Sequence, residues 1–286
     1  MNILVLGASG QLGQSLKKAA LARNLKDICF AGRTETDILD PKSLTQMFER
    51  EKPRFVVNCA AYTAVDKAED EQELADEVNG TGAAHVAECC NRYHATMIHV
   101  STDFVFGGAM PARPLAETDA THPMGAYART KLRGEQAIAA VLKEHIIIRT
   151  SWLYAEYGSN FVKTMLRLGK ERKELGVVAD QVGTPTYAPD LAQGILDIIS
   201  RGGMHYGLYH YSNEGVASWY DFAKAIFDIA GMEMIVKPLK TSEYPVKAAR
   251  PSFSVLDKSK IKSVYGCTVP YWRDSLAVCI KELTAQ

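Results

Sequence analysis

Through the first half of the chain, apolar residues fall in short unbroken runs at 2–6, 27–31, 55–58, 96–100 and 145–150. Between these runs they recur at helical spacing, at 11–23, 41–51, 71–93 and 127–143. Runs this short that do not alternate with polar residues predict strands buried on both faces, and the helical recurrence predicts the amphipathic helices that bury them. The alternation predicts an α/β fold: a Rossmann-like, doubly wound parallel sheet with its ligand crevice at the carboxyl ends of the strands. After residue 150 the texture changes to polar and aromatic clusters, with helical patterns at 188–200, 218–230 and 271–283. This predicts a nucleotide-binding Rossmann domain over 1–150 and a smaller substrate-binding lobe over 151–286, some of whose helices pack back on the sheet.

The first apolar run ends in Gly7-Ala8-Ser9-Gly10-Gln11-Leu12-Gly13. Glycines between a strand and a helix permit a tight turn and let backbone N–H groups approach a diphosphate. Gly7, Ser9, Gly10, Gln11, Leu12 and Gly13 are therefore candidate cofactor contacts. The second run ends in Ala31-Gly32-Arg33, with no acid at its tip. An acid there would bind the adenosine 2′-hydroxyl, whereas Arg33 suits a 2′-phosphate, so NADPH is the expected cofactor and NADH the alternative. Asp37 and Ile38 are placed to frame the adenine. Ala60, Ala61 and Tyr62 follow the third run, where small residues let the cofactor lie close, and Asn79 is a candidate for orienting cofactor or catalytic loop.

Tyr127 and Lys131 stand four residues apart at the start of a predicted helix, on one face. A nearby ammonium lowers a tyrosine's pKa, so the pair suits general acid catalysis, and the lysine also suits a nicotinamide ribose. Tyr220 and Lys224 share the spacing, but Tyr127 alone follows a strand whose tip, Ser101-Thr102-Asp103, offers a second hydroxyl. Phe104 stands where an acid/base glutamate would be expected in a sugar dehydratase, which leaves hydride transfer with proton donation as the economical chemistry.

Lys+Arg and Asp+Glu number 33 each, which argues against a nucleic-acid partner. No apolar run is long enough to span a membrane. The six cysteines have no metal-ligand spacing, so reduced thiols and a cytoplasmic location are expected.

Taken together, the glycine turn at 7–13, NCAAYTAVDKAE at 58–69, STDFVF at 101–106, the Tyr–Lys pair at 127–131, RTSWLY at 149–154, NFVKTMLRL at 160–168 and QVGTPT at 181–186 resemble the dTDP-4-dehydrorhamnose reductase family of extended short-chain dehydrogenases. The likeness runs from Met1 to beyond Ser252. It implies NAD(P)H-dependent reduction of dTDP-4-dehydro-β-L-rhamnose to dTDP-L-rhamnose, with Thr102, Tyr127 and Lys131 as the catalytic trio. It also implies a sugar pocket lined by Val65, Asp66, Thr102, Asp103, Phe104 and Trp152, with Arg250 at the nucleotide diphosphate. Some members form dimers bridged by magnesium through glutamates, the first early in helix one. Ser15 stands at that place, so any homodimer is expected to lack the metal bridge, and no metal is expected. Two alternatives stay open: reduction of another nucleotide-linked 4-keto-deoxysugar, such as one giving a 6-deoxytalose product, and a non-catalytic NADP-binding regulatory subunit.

Overall fold

The computed structural model describes residues 2–108 and 113–285. The chain opens with β1 (Ile3–Leu6), α1 (Gln11–Ala22), β2 (Ile28–Ala31), α2 (Pro41–Glu51) and β3 (Phe55–Asn58). A short helix, α3 (Gln72–Asp76), runs through a wide π-type turn at Glu77–Gly82 into α4 (Ala83–Tyr93), β4 (Thr96–Thr102), α5 (Ala126–Val141) and β5 (His145–Thr150). The second half supplies β6 (Leu153–Tyr154), α6 (Phe161–Glu171), β7 (Glu174–Val178), β8 (Val182–Gly183), β9 (Thr186–Tyr187) and α7 (Ala188–Ser200). It ends with β10 (Gly207–His210), β11 (Ala217–Ser218), α8 (Trp219–Ile229), β12 (Ile235–Leu239), α9 (Ser259–Tyr265) and α10 (Trp272–Thr284).

Six strands form one parallel sheet in the order β10-β5-β4-β3-β1-β2. The chain steps outward from β1 to β2 and then crosses back to β3, so the winding reverses at the β1–β3 boundary and leaves a crevice beyond the strand ends. Burial follows the two-residue period of a strand. Ile3 and Val5 face a core built with Leu12 and Leu16 of α1 and Leu191 and Ile195 of α7. Leu4 and Leu6 face the opposite core, with Leu44 and Phe48 of α2, Val86 of α4 and Ile138 of α5. Each face is covered, which is why these strands tolerate no polar alternation. Truncating one such leucine, Leu16 for example, costs about 2–5 kcal/mol.

A third core holds the smaller lobe, where Phe222 of α8, Trp272 of α10 and Val162 of α6 pack beside the β7–β12 pair. The sixth strand of the main sheet and α7 against α1 both come from residues beyond 150. The chain therefore passes between sheet and lobe several times after that point.

The helix expected over 71–93 is present without interruption from Gln72 to Tyr93, but widens to π-helical geometry over Glu77–Gly82. Asn79 sits in that turn, and its side chain accepts the N–H of Tyr62 at 2.9 Å and donates to the Tyr62 carbonyl at 3.1 Å. A tertiary demand on one side chain widens the helix locally, a common signature near functional sites.

Candidate active site

The glycine turn fits a diphosphate by steric and electrostatic criteria. Gly7 has φ +74°, and a Cβ there would lie 2.6 Å from the Ala60 nitrogen; one on Gly13 would lie 2.6 Å from the Gly7 carbonyl. These two glycines let β1, α1 and the β3 end come together. Gly10 caps α1 without any side-chain hydrogen bond, so first-turn N–H groups face the crevice free for an anionic ligand. In front of them lies a cavity of about 700 Å³, bordered by Gly10, Gln11, Leu12 and Gly13 on one side and the β4 tip on the other. It continues past Gly10, Cys59 and Ala61 into a second groove of about 370 Å³ along β2.

That second groove is lined by Gly7, Ser9, Arg33, Asp37, Ile38 and the 60–62 segment. Arg33 is exposed at the β2 tip and paired with Asp37 at 3.1 Å. Asp37 also accepts the N–H of Leu39 at 3.0 Å, so it is a fixed acceptor that steers Arg33 over the groove. One acid escaped the sequence reading: Glu35 folds back and accepts the Gly32 N–H at 2.8 Å, which brings a carboxylate to the strand tip. Its distance in sequence from the strand concealed it.

At the other end, Thr102, Tyr127 and Lys131 line the large cavity together. Thr102 caps the turn after β4: its hydroxyl accepts the Phe104 N–H at 3.2 Å and donates to Asp103 at 3.2 Å. Tyr127 packs edge-on against Phe104, ring centroids 5.6 Å apart. Lys131 is 2 % exposed, and its Nζ lies 2.8 Å from the Val100 carbonyl and 3.3 Å from His99 Nε2. Here the expected lowering of the tyrosine pKa does not appear. Burial pushes Tyr127 up to about 12, a contact with Thr102 opposes this, and the Asp103 charge adds to it. Burial also brings Lys131 down to about 8, against the pull of Glu135. With its amine directed to Val100 and His99, the lysine does not offset the tyrosine's desolvation.

Asp103 is 1 % exposed, with one carboxylate oxygen lacking any hydrogen-bond partner. Burial raises it to about 7, although hydrogen bonds from Ser254 and Thr102 hold it down in part. A buried carboxylate oxygen left without a partner favours the protonated form, in which it becomes a donor.

The lobe closes the cavity with aromatic groups. Trp152 adopts φ +47°, an uncommon backbone state for a bulky residue, and stacks on Trp219 at 3.6 Å between centroids. Trp219, absent from the sequence-derived site, borders the cavity beside Trp152. Its position at the start of α8 gave no functional signal in one dimension. Trp219 and Arg250 also border a further cavity of about 480 Å³ between α6 and β7, lined by Phe161, Tyr244 and Val246.

Asp66 does not border the cavity, whereas Val65 does; the Asp66 carboxylate instead grips Arg250 at 2.7 and 3.1 Å and accepts the Ala248 N–H. A guanidinium emerging between two cavities needs a counter-charge, and that pairing holds the Asp66 pKa low. Asn79, expected to orient the cofactor or the catalytic loop, is 1 % exposed and spends its amide on Tyr62 and Thr130. It acts on the groove by tying the 60–62 segment to α5. Tyr220, with the decoy spacing, lies in α8 against the lobe core.

A family model described as "RmlD substrate binding domain" matches residues 1–285. A dTDP-4-dehydrorhamnose reductase of Aggregatibacter actinomycetemcomitans is 40 % identical over 284 residues, covering 96 % of each chain. The chain belongs to the dTDP-4-dehydrorhamnose reductase family. Among solved structures, the family member from Clostridium acetobutylicum superposes with a TM-score of 0.95 at 40 % identity, covering 99 % of this chain and 100 % of that one. The dTDP-4-dehydrorhamnose reductase of Bacillus anthracis, solved with NADP, gives 0.93 at 39 % identity with the same coverage. A UDP-glucose 4-epimerase of Thermus thermophilus, at 19 % identity and a TM-score of 0.82, shares the fold with these reductases.

Proposed function

We propose that the chain is an NADPH-dependent oxidoreductase that reduces the 4-keto group of dTDP-4-dehydro-β-L-rhamnose to dTDP-L-rhamnose, a sugar donor for polysaccharide synthesis. The observation that carries this reading is the meeting of Tyr127, Lys131 and Thr102 in one cavity with the uncapped start of α1, in a chain matched along its length by reductases of this substrate.

NADPH, when bound, supplies the hydride that reduces the sugar carbonyl carbon. Gly10 through Gly13 would hold its diphosphate, Arg33 its 2′-phosphate, and Asp37, Ile38 and the 60–62 segment its adenosine. Lys131 turns from Val100 to the nicotinamide ribose. Tyr127 gives its phenolic proton to the carbonyl oxygen as negative charge develops there, and Thr102 supplies a second hydrogen bond to the same oxygen. Its high pKa suits a group that must keep its proton until then. Val65, Asp103, Phe104 and Trp152 border the sugar, and Trp152 and Trp219 exclude water. Arg250 meets the substrate diphosphate, and the cavity between α6 and β7 receives the thymidine.

Glu35 at the β2 tip favours NADH as a second cofactor, since its carboxylate can accept a ribose hydroxyl. Ser15 is buried, its hydroxyl donating to the Gln11 carbonyl, so the reading includes no divalent-metal requirement and a homodimer without a metal bridge. The six free cysteines agree with a reducing, cytoplasmic setting. Among the described residues no helix is long and apolar enough to cross a membrane.

The test is NADPH oxidation with enzymatically prepared dTDP-4-dehydrorhamnose, with the product read by NMR. Turnover to dTDP-L-rhamnose supports the reading; a 6-deoxytalose product, or no oxidation with either nicotinamide, overturns it.

A further inference from the structure

Behind Lys131 lies a chain of polar groups that the proposed reaction does not use. The Ala60 N–H donates to Asn58 Oδ1 at 3.1 Å, Asn58 Nδ2 stands 3.2 Å from His99 Nδ1, and His99 Nε2 stands 3.3 Å from Lys131 Nζ. Asn58, His99 and Lys131 are at most 2 % exposed. The Asn58 orientation is fixed by Ala60, because a flipped amide would set two N–H groups against each other. Asn58 Nδ2 is then a donor, so His99 Nδ1 is an acceptor and the ring's proton sits on Nε2. That N–H points at the lysine nitrogen. An ammonium there is donor against donor; a neutral amine accepts from His99 and still donates to the Val100 carbonyl.

We propose that His99 is a positioning residue that holds Lys131 as a neutral, parked amine in the ligand-free enzyme, so that engagement of the cofactor ribose takes up a proton from solvent. The inference rests on the reading of Lys131 as the ribose-facing lysine.

The surrounding charges leave room for this. Glu135, on the same helix, has its carboxylate occupied by Arg149 of β5 at 2.7 and 2.9 Å and by the Ser101 hydroxyl at 2.5 Å, so it offers Lys131 field but no hydrogen bond. Cys59, after β3, is a thiol raised to about 12 by burial, hence uncharged. Tyr127 and Asp103 lie on the cavity side, where the ligand arrives. His99 itself is held far below the usual imidazole range, chiefly by burial, so it stays neutral beside an uncharged lysine. Burial already favours the uncharged lysine, and the His99 N–H acts in the same direction.

Two measurements on ligand-free protein test this. In ¹⁵N-histidine-labelled protein, long-range ¹H–¹⁵N correlations give the tautomer of His99, whose signals are identified by their loss in His99→Asn. A neutral ring protonated on Nε2 is expected; a proton on Nδ1, or a charged ring, overturns the proposal. Trace acetylation against pH, read on the peptide carrying Lys131, gives the lysine's titration midpoint. In His99→Gln the amide oxygen can accept from an ammonium, and the midpoint is expected to rise by about one pH unit; an unchanged or lower midpoint contradicts the inference. Neither readout needs turnover. A protein inactive on the sugar with His99 in the expected tautomer would overturn only the functional reading; an active one with Nδ1 protonated would overturn only this inference.

Discussion

The Glu69 carboxylate accepts the backbone N–H of Ala126 at 2.7 Å, one residue before Tyr127. The preceding Gly125 has φ +92°, and a Cβ on it would strike that carboxylate. A residue from the segment after β3 thus caps α5 and sets where its first turn begins, which fixes Tyr127 relative to β4. Glu69→Ala is expected to cost about 1 kcal/mol of stability through the lost cap and to lower kcat. Glu69→Gln, which keeps an acceptor, should recover most of both. Thermal denaturation and steady-state kinetics on the two variants check this; equal loss in both would show that charge, not capping, matters.

Arg33 carries the predicted preference for a 2′-phosphate. Arg33→Ala should weaken NADPH binding by about tenfold or more, the worth of a charge-assisted hydrogen bond, and leave NADH nearly unchanged. Fluorescence titration with each nicotinamide measures both. An equal loss for the two would move the 2′-phosphate away from Arg33.

Arg250 is held ready by Asp66 rather than free. Arg250→Lys keeps the charge but loses the planar fork, so KM for the nucleotide sugar should rise by about tenfold with a smaller change in kcat. Asp66→Asn should raise it less, by loosening the guanidinium. A kcat effect larger than the KM effect in Arg250→Lys would place this residue in the chemical step.

Asp103 gives a pH dependence with a definite sign. Its pKa in the fold is raised from 3.8 to about 7, so its contribution to stability is greatest below the unfolded value and is lost as pH rises toward 7. While ionised it holds the Thr102 proton; once protonated it can donate to Thr102 and release that proton to the substrate. Both stability and kcat should therefore carry a component that declines as pH rises through about 7. Asp103→Asn, which cannot titrate, should remove that component from urea denaturation and from the pH–rate profile. Persistence of both slopes in the variant would assign them to another group.

The main sheet was legible because each strand is buried on both faces and each covering helix is long enough to show its period. The glycine turn was legible for a related reason: its position between strand and helix restricts what the residues can do. What escaped was information carried by contacts distant in sequence. The π-type widening of the helix at 77–82 goes with Asn79 reaching Tyr62, and no local propensity announces it. Trp219 enters the cavity only because α8 packs beside Trp152, and β10 joins the sheet across β5 from more than fifty residues away. Tyr127 and Lys131, expected from their spacing to act together, do line one cavity. Their electrostatic relation was not legible, because spacing says nothing of the desolvation that dominates both groups.

The most direct measurement follows the hydrogen itself. With NADPH deuterated at the transferring position of the nicotinamide and dTDP-4-dehydrorhamnose as acceptor, NMR of the product locates the label. The proposed chemistry predicts deuterium at C4 of dTDP-L-rhamnose, and at least about a hundredfold slower transfer in Tyr127→Phe. Deuterium elsewhere, or undiminished transfer without the phenol, would contradict it.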